Sequence, residues 1–400
     1  MKLSPRPYHR PAAAILHRAP LPTHHAPRNT HHAPPPPLFN PFNSFNPSAR
    51  GIAMIIVMIS ILVLTTLAAG FAYSMKVETK LARNANSEAE LEWLGRSGVE
   101  YARWILALQL QIPNEPYDGL DQVWAGGAGG IGTSNSPLAE VQKEVHLADG
   151  SFTWKITDLE SKFNINSPEP VMQQILPQAL TLMGVDPSQA TPIVNSILDW
   201  IDVDDQTRVE GAETEYYQTL NPPYAAKNGP IDDISELLLI KGITPEIYYG
   251  ASATDYQPNY FSQQRNRFGQ AAAPPAITVG LTNLFTPLSD GKVNINTASA
   301  EVLQLIPGVD PLIAEAIVGG RAGEDDGTGL MGPYRAVNQV SRMPNIPQVI
   351  VGQLGQFCDV RSRTFQVEVD AEVGGYKRTF YAVLGRNSPR DVQILTFYWK

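Results

Sequence analysis

The chain has 400 residues, with 30 Lys and Arg against 39 Asp and Glu and a formal net charge of −9. Six of the basic residues precede Ile52, so the remainder carries 24 against 39, a net −15, and is a poor partner for nucleic acid phosphates. A single cysteine, Cys358, excludes an internal disulfide, and the length leaves room for two ordinary domains after a long N-terminal helix.

Residues 1–51 read as a basic, Pro- and His-rich leader. They hold Lys2, Arg6, Arg10, Arg18, Arg28 and Arg50 and no acid, with 12 of the 34 prolines and six of the seven histidines. Such a segment cannot bury enough apolar surface to fold, which predicts disorder. The histidine pairs show no metal-ligand spacing. The positive charge predicts that this end stays cytoplasmic and that everything after Tyr73 is exported.

The next stretch reads RGIAMIIVMISILVLTTLAAGFAY. Ile52 to Tyr73 is 22 residues without a charge. As a helix it rises about 33 Å at ~1.5 Å per residue, enough to cross a ~30 Å hydrocarbon core. A secretory signal has a shorter apolar core. No proline follows until Pro113, so residues 52–73 and 74–112 read as the transmembrane and soluble halves of one helix. Leu91, Leu94, Gly98, Tyr101, Ile105 and Leu108 recur in steps of three and four, a stripe that faces a packed layer. Glu92 with Arg96 and Glu100 with Arg103 suit the solvated side.

Residues 113–167 read as a loop and first strands. The Gly-rich run from Gly126 to Pro137 lacks the Lys-Ser/Thr of a phosphate loop. Alternation on both sides of Asp149-Gly150 predicts a hairpin. Residues 168–355 are helical and repeat. Asn164-Ile165-Asn166-Ser167 returns as Asn294-Ile295-Asn296-Thr297, and Gly184-Val185-Asp186-Pro187 as Gly308-Val309-Asp310-Pro311. Ser167 and Thr297 are N-cap candidates, and Gly184 and Gly308 suit the left-handed turn at a helix end. The uneven spacing favours a compact bundle over a solenoid. Leu303 to Arg321 resembles the helix-hairpin-helix pattern, in which hairpin amides touch a nucleic acid phosphate. Asp310 stands where binders carry Gly, which favours a packing role. Residues 356–400 read as closing antiparallel strands, turned at Gly374-Gly375 and between Asn387 and Asp391.

One cluster carries chemistry. Asp199, Asp202, Asp204, Asp205, Glu210, Glu213 and Glu215 surround a single Arg208. Hard oxygen ligands in a loop suit calcium. Counted from Asp202, Asp204 and Glu213 fall where an EF-hand places ligands, but Thr207 replaces the required Gly. No cleft supports glycosidase chemistry, and His146, the one histidine beyond the leader, leaves no catalytic triad. The chain does not read as an enzyme.

An apolar helix preceded by Gly51 resembles the type IV pilins and pseudopilins. The stretches RGIAMIIVMISIL, SKFNINS, ILDWIDVDD, GAETEYY, PPYAAKNGPIDDISELLLIKGIT and KVNINTASAEVLQLIPG narrow this to the minor pseudopilin K family of type II secretion (general secretion pathway protein K). The resemblance implies cleavage by prepilin peptidase between Gly51 and Ile52. It implies that Ile56 occupies the fifth mature position, where most pilins carry Glu. It implies an α+β fold: a pilin-like long N-terminal helix packed on a small antiparallel sheet, with a large inserted all-α, helix-hairpin-helix-like domain. It also implies calcium, with Asp202, Asp204, Asp205, Glu213 and Glu215 as ligands. The implied role is a single-pass inner-membrane protein with periplasmic domains, joining minor pseudopilins I and J at the pseudopilus tip. No nucleic acid is expected. The alternative is a membrane-anchored, competence-type DNA-binding protein.

Overall fold

The computed structural model describes residues 48–113, 115–127, 138–250, 277–322, 332–343 and 346–399. Residues 1–47 of the leader and most of the Gly-rich loop lie outside the described residues, and the last four leader residues belong to the helix that follows. By its internal packing the chain divides into Met1–Met75 and Lys76–Lys400. Helix α1 (Ser48–Gln109) contributes to both.

In the first unit α1 is apolar on all sides. Ile52, Ile56, Leu62, Leu67 and Phe71 are each more than half exposed, with Ile56 at 58%. The Thr65 and Thr66 hydroxyls donate to the carbonyls of Ile61 and Leu62 at 2.8 and 3.0 Å, so the helix satisfies its own hydroxyls. Among the described residues this is the helix long and apolar enough to cross a bilayer.

In the second unit the chain continues through β1 (Glu144–Leu147), β2 (Gly150–Asp158) and β3 (Phe163–Asn164). A helical region follows, with α2 (Glu169–Leu182), α3 (Pro187–Ile201), α4 (Thr214–Tyr217), α5 (Pro245–Tyr249) and α6 (Leu281–Leu284). It continues through β4 (Phe285–Thr286), β5 (Val293–Asn294), α7 (Ala300–Leu303), α8 (Pro311–Arg321) and α9 (Gln348–Phe357). The chain closes with β6 (Cys358–Asp359), β7 (Thr364–Val373), β8 (Tyr376–Ser388) and β9 (Asp391–Trp399).

Five of these strands make an antiparallel sheet in the order β1-β2-β7-β8-β9. Strand β2 pairs with β7 along its whole length, from Gly150 opposite Val373 to Asp158 opposite Phe365. The helical region is therefore an insertion between two neighbouring strands of one sheet. The fold is α+β, as expected, with a long helix on a small antiparallel sheet. Leu91, Leu94, Val99, Ala102, Ile105 and Leu106 of α1 bury against Phe152, Val369, Phe380 and Leu384. On the helix's outer side, Arg96 pairs with Glu92 at 2.8 Å and Arg103 with Glu100 at 3.1 Å.

Glycines set how closely the helix approaches the sheet. A Cβ on Gly95 would lie 2.4 Å from Phe380 Cδ2, and one on Gly98 2.4 Å from Val369 Cγ1. Gly374 and Gly375 take φ of +55° and +84° and turn β7 into β8. Gly150 differs from its sequence reading. The turn falls one residue earlier, on Ala148 (φ +50°) and Asp149, with Leu147 facing Gly150. Gly150 instead opens β2, where a Cβ would meet Leu94 Cδ1 at 2.6 Å. Packing explains that glycine, not the turn.

The sequence repeat is a structural repeat. Parallel ladders β3–β4 and β5–β6 stitch the helical region at equivalent places. Ile165 donates to the Thr286 carbonyl, and Ile295 donates to that of Asp359. Asn166 exchanges hydrogen bonds with the backbone of Ile231, and Asn296 does the same with Tyr334. Gly184 (φ +77°) directly follows the C-cap of α2, whereas Gly308 (φ +86°) lies in the turn five residues beyond the end of α7. The N-cap assignments differ, however. Pro168 precedes α2 without a side-chain cap, and Ser299 caps α7.

Thr297 has another task. Its hydroxyl donates to buried Asp158, as do the Ser362 hydroxyl and the Asn294 amide. Nearby, Glu160 accepts from the backbones of Arg363 and Thr364 at 2.8 and 3.1 Å. This joint ties the chain entering the insertion to the chain leaving it. Burial pushes Asp158 up to about 6; burial, with Asp158 beside it, pushes Glu160 up to about 8. The folded chain then keeps protons that the unfolded chain has lost above about pH 4.5. Stability contributed by these groups must fall as pH rises from about 4.5 to about 8. Thermal melts of the full chain in detergent and chelator are expected to show a falling midpoint over that window. A midpoint that rises there contradicts the assignment.

Candidate metal centre

Helix α3 builds the first half of the site. Asp186 caps it by accepting from the Ser188 amide at 2.8 Å, and Pro187 occupies its first turn. Ile193, Ile197 and Trp200 bury its inward face. Asp199 shares that inward face and is fully buried. Asp202 follows at the helix end, where the chain turns extended.

The loop then folds back over Asp199. The amides of Arg208 and Ala212 donate to it, the latter at 2.9 Å. Gly211 makes this approach possible, since a Cβ there would lie 2.1 Å from Asp199 Oδ2. Lys241 holds the loop from outside, donating to the Glu210 and Gly211 carbonyls at 3.0 Å each. Glu213 then occupies the N-cap position of α4 but caps nothing. Its carboxylate points into the same site.

Asp199, Asp202 and Glu213 each offer an oxygen within 4.8 Å of the others. Glu213 is 3% exposed, and neither of its oxygens has a hydrogen-bond partner. Asp202 Oδ1 and Asn228 Oδ1 are likewise buried and unpaired. Buried acceptors without donors are costly, on the order of 1–3 kcal/mol each. Desolvation first, then Asp199, Asp202, Asp205 and Asp204, push Glu213 up to about 7. A hard cation that touches oxygens at about 2.3–2.6 Å spans such a set, because opposite ligands then stand roughly twice that far apart.

The structure brings Asp202 and Glu213 together and adds Asp199. It places Asp204, Asp205 and Glu215 at the surface. Asp204 accepts from the Gln206 amide at 2.9 Å, and Asp205 from the Asn228 side chain at 2.8 Å. These two shape the loop from outside the triad. Spacing within an assumed continuous loop pointed to Asp204, and the family resemblance to Asp205. Asp199 stood in the acidic run but outside the expected ligand set; the structure places it one turn beyond buried Ser196, on the inward face of α3.

The helix-hairpin-helix segment has no opening for a phosphate at its capping residue. Asp310 accepts from the Ile313 amide at 2.8 Å and caps α8, placing a carboxylate where a phosphate would approach.

Comparison with known proteins bears on both halves of the insertion. A family model for type II secretion system (T2SS) protein K matches residues 157–252, which contain the three carboxylates, and one for the helix-hairpin-helix motif matches residues 289–357. The putative type II secretion system protein K of Escherichia coli (strain K12) is 29% identical over 217 residues, covering 51% of this chain and 61% of that one. The type II secretion system protein K of Pseudomonas aeruginosa is 23% identical over 364 residues, covering 86% and 91%. Over these regions the chain is similar to the type II secretion system protein K family. The match spans 61% of the length of the E. coli relative and of the Klebsiella pneumoniae protein K. The fold agrees with that family. The crystal structure of the GspK-GspI-GspJ complex from the enterotoxigenic E. coli type 2 secretion system aligns with a TM-score of 0.57 at 20% identity, covering 80% of this chain and 99% of that one.

Proposed function

We propose that this protein K chain is a minor pseudopilin at the tip of the type II secretion pseudopilus. It primes assembly with minor pseudopilins I and J and supports export of folded proteins across the outer membrane. Prepilin peptidase cuts between Gly51 and Ile52, and the apolar half of α1 anchors the product in the inner membrane. The N-terminal side is cytoplasmic and the remainder periplasmic. The observation that carries this reading is the uncharged helix, apolar on all sides, with Ile56 five residues into it counted from Ile52.

The physical argument concerns one charge. A free amine at Ile52 in a bundle of apolar helices needs an acid from a neighbouring subunit. Leaving a buried charge unpaired costs ~3–5 kcal/mol. A subunit with Ile56 supplies no such acid to a neighbour, so it suits a filament end better than a shaft. The large insertion between β2 and β7 supports the same place, because a bulky domain obstructs subunits stacked above it.

Calcium is the cation we assign to Asp199, Asp202 and Glu213, with Asn228 Oδ1 in reach of the same role. When bound, it supplies positive charge that neutralises the triad. The chain's own residues then hold the end of α3 against the start of α4.

Ile56→Glu tests the assembly argument. The variant is expected to insert in the membrane and to appear along pseudopilus shafts, where the wild type is confined to ends. Localisation by immunogold labelling decides between these. Wild-type protein spread along the shaft, or a variant distributed like the wild type, contradicts the reading.

A further inference from the structure

Arg208 stands inside the acidic site. Its Nη1 donates both to Asp199 Oδ1, at 2.8 Å, and to Asp202 Oδ2. Its Nη2 donates to Glu169 Oε1, at the start of α2, at 3.0 Å. The guanidinium thus bridges the two aspartates and leaves the Glu213 side with no cation. Asp202 Oδ1 and both Glu213 oxygens remain unpaired, while Asp199 has both oxygens engaged. No other basic side chain donates to these three carboxylates among the described residues.

We infer that Arg208 is a resident counter-ion that a divalent cation displaces from between Asp199 and Asp202. This rests on the calcium reading of the same site. The argument is one of shared ligands. A cation that reaches all three carboxylates must approach the oxygens that Nη1 now holds. It must also sit close to a fixed positive charge, and at a few ångströms that repulsion is large even when partly screened. The guanidinium has somewhere to go: it is about a quarter exposed and already touches Glu169 on its outer side. Displacement toward Glu169 keeps its charge paired. Arg208 therefore stabilises the metal-free loop and sets how much calcium is needed to fill the site.

The test is calcium titration calorimetry on full-length wild-type, Arg208→Gln and Arg208→Lys proteins in detergent. Thermal melts in chelator confirm that each variant is folded. Arg208→Gln is expected to melt lower in chelator and to bind calcium about tenfold more tightly. Arg208→Lys, whose ammonium cannot bridge two carboxylates in the same fork, is expected to bind about threefold more tightly. A residue that merely positions the ligands predicts the reverse sign. Equal or weaker affinity in a folded variant overturns the displacement proposal while leaving calcium binding intact. Absence of calcium binding in all three proteins overturns the calcium reading and this inference together. Should Arg208→Gln fail to fold, Arg208→Lys decides by the same sign.

Discussion

Glu213→Gln is expected to raise the unfolding midpoint in chelator and to lower it in calcium. The carboxylate is buried at 3% exposure with both oxygens unpaired, and four aspartates surround it. Without a cation, a neutral amide of the same shape removes repulsion and can donate to Asp202 Oδ1. The expected gain is about 1–3 kcal/mol, the usual cost of a buried unsatisfied group. With calcium present the balance reverses. A ligand at a hundred times its dissociation constant stabilises the folded state by about 2.7 kcal/mol. Losing that from a chain of this size lowers the midpoint by ~5 °C or more, at roughly 2–4 °C per kcal/mol. Melts of the full chain with and without calcium read both signs. A shift of the same sign in both conditions contradicts a cation held by Glu213.

Gly98→Leu is expected to destabilise the Lys76–Lys400 unit by ~3 kcal/mol or more. An ordinary helix gains about 1 kcal/mol when Gly is replaced by a better helix former. Here the first added carbon already stands 2.4 Å from Val369 Cγ1 and 3.1 Å from Phe152 Cδ2. These belong to β7 and β2, the middle of the sheet, and cannot withdraw without opening the core. Overpacking of a tight core costs about 1–3 kcal/mol, occasionally more, and Leu adds three carbons beyond the clash. Gly70→Leu is the control, since nothing lies within 4 Å of a Cβ there. Urea unfolding of the two variants distinguishes them. A Gly98→Leu protein as stable as wild type contradicts the close helix–sheet approach.

These two residues mark what the sequence disclosed and what it withheld. Gly98 lay on a stripe with Leu91, Leu94 and Ile105, so its inward face followed from a spacing of three and four. The β7–β8 hairpin followed from two adjacent glycines, which alone adopt the left-handed turn without strain. The insertion followed from a helical, repeating region between two alternating ones. Each of these signals is local. Gly150 looked local but was not: Leu94, 56 positions earlier by its number, dictates its missing side chain. The same limit governed the site. Asp202 and Glu213 stood in an obvious acidic run. Asp199 stood in the same run, but its meeting with Glu213 depends on Gly211 and Lys241 folding the loop back onto α3, which no spacing rule encodes. Thr297 resembled a helix cap and serves instead as a donor to Asp158, a partner 139 residues away.

The central claim is that cleavage ahead of the apolar helix releases a pseudopilin whose N-terminal residue is Ile52. Mass measurement of the N-terminal peptide, on protein recovered from membranes that contain prepilin peptidase, tests it most directly. The account predicts a chain that begins at Ile52 and keeps its whole apolar helix. A chain that begins beyond Gly70, or that still carries residues ahead of Gly51, contradicts it.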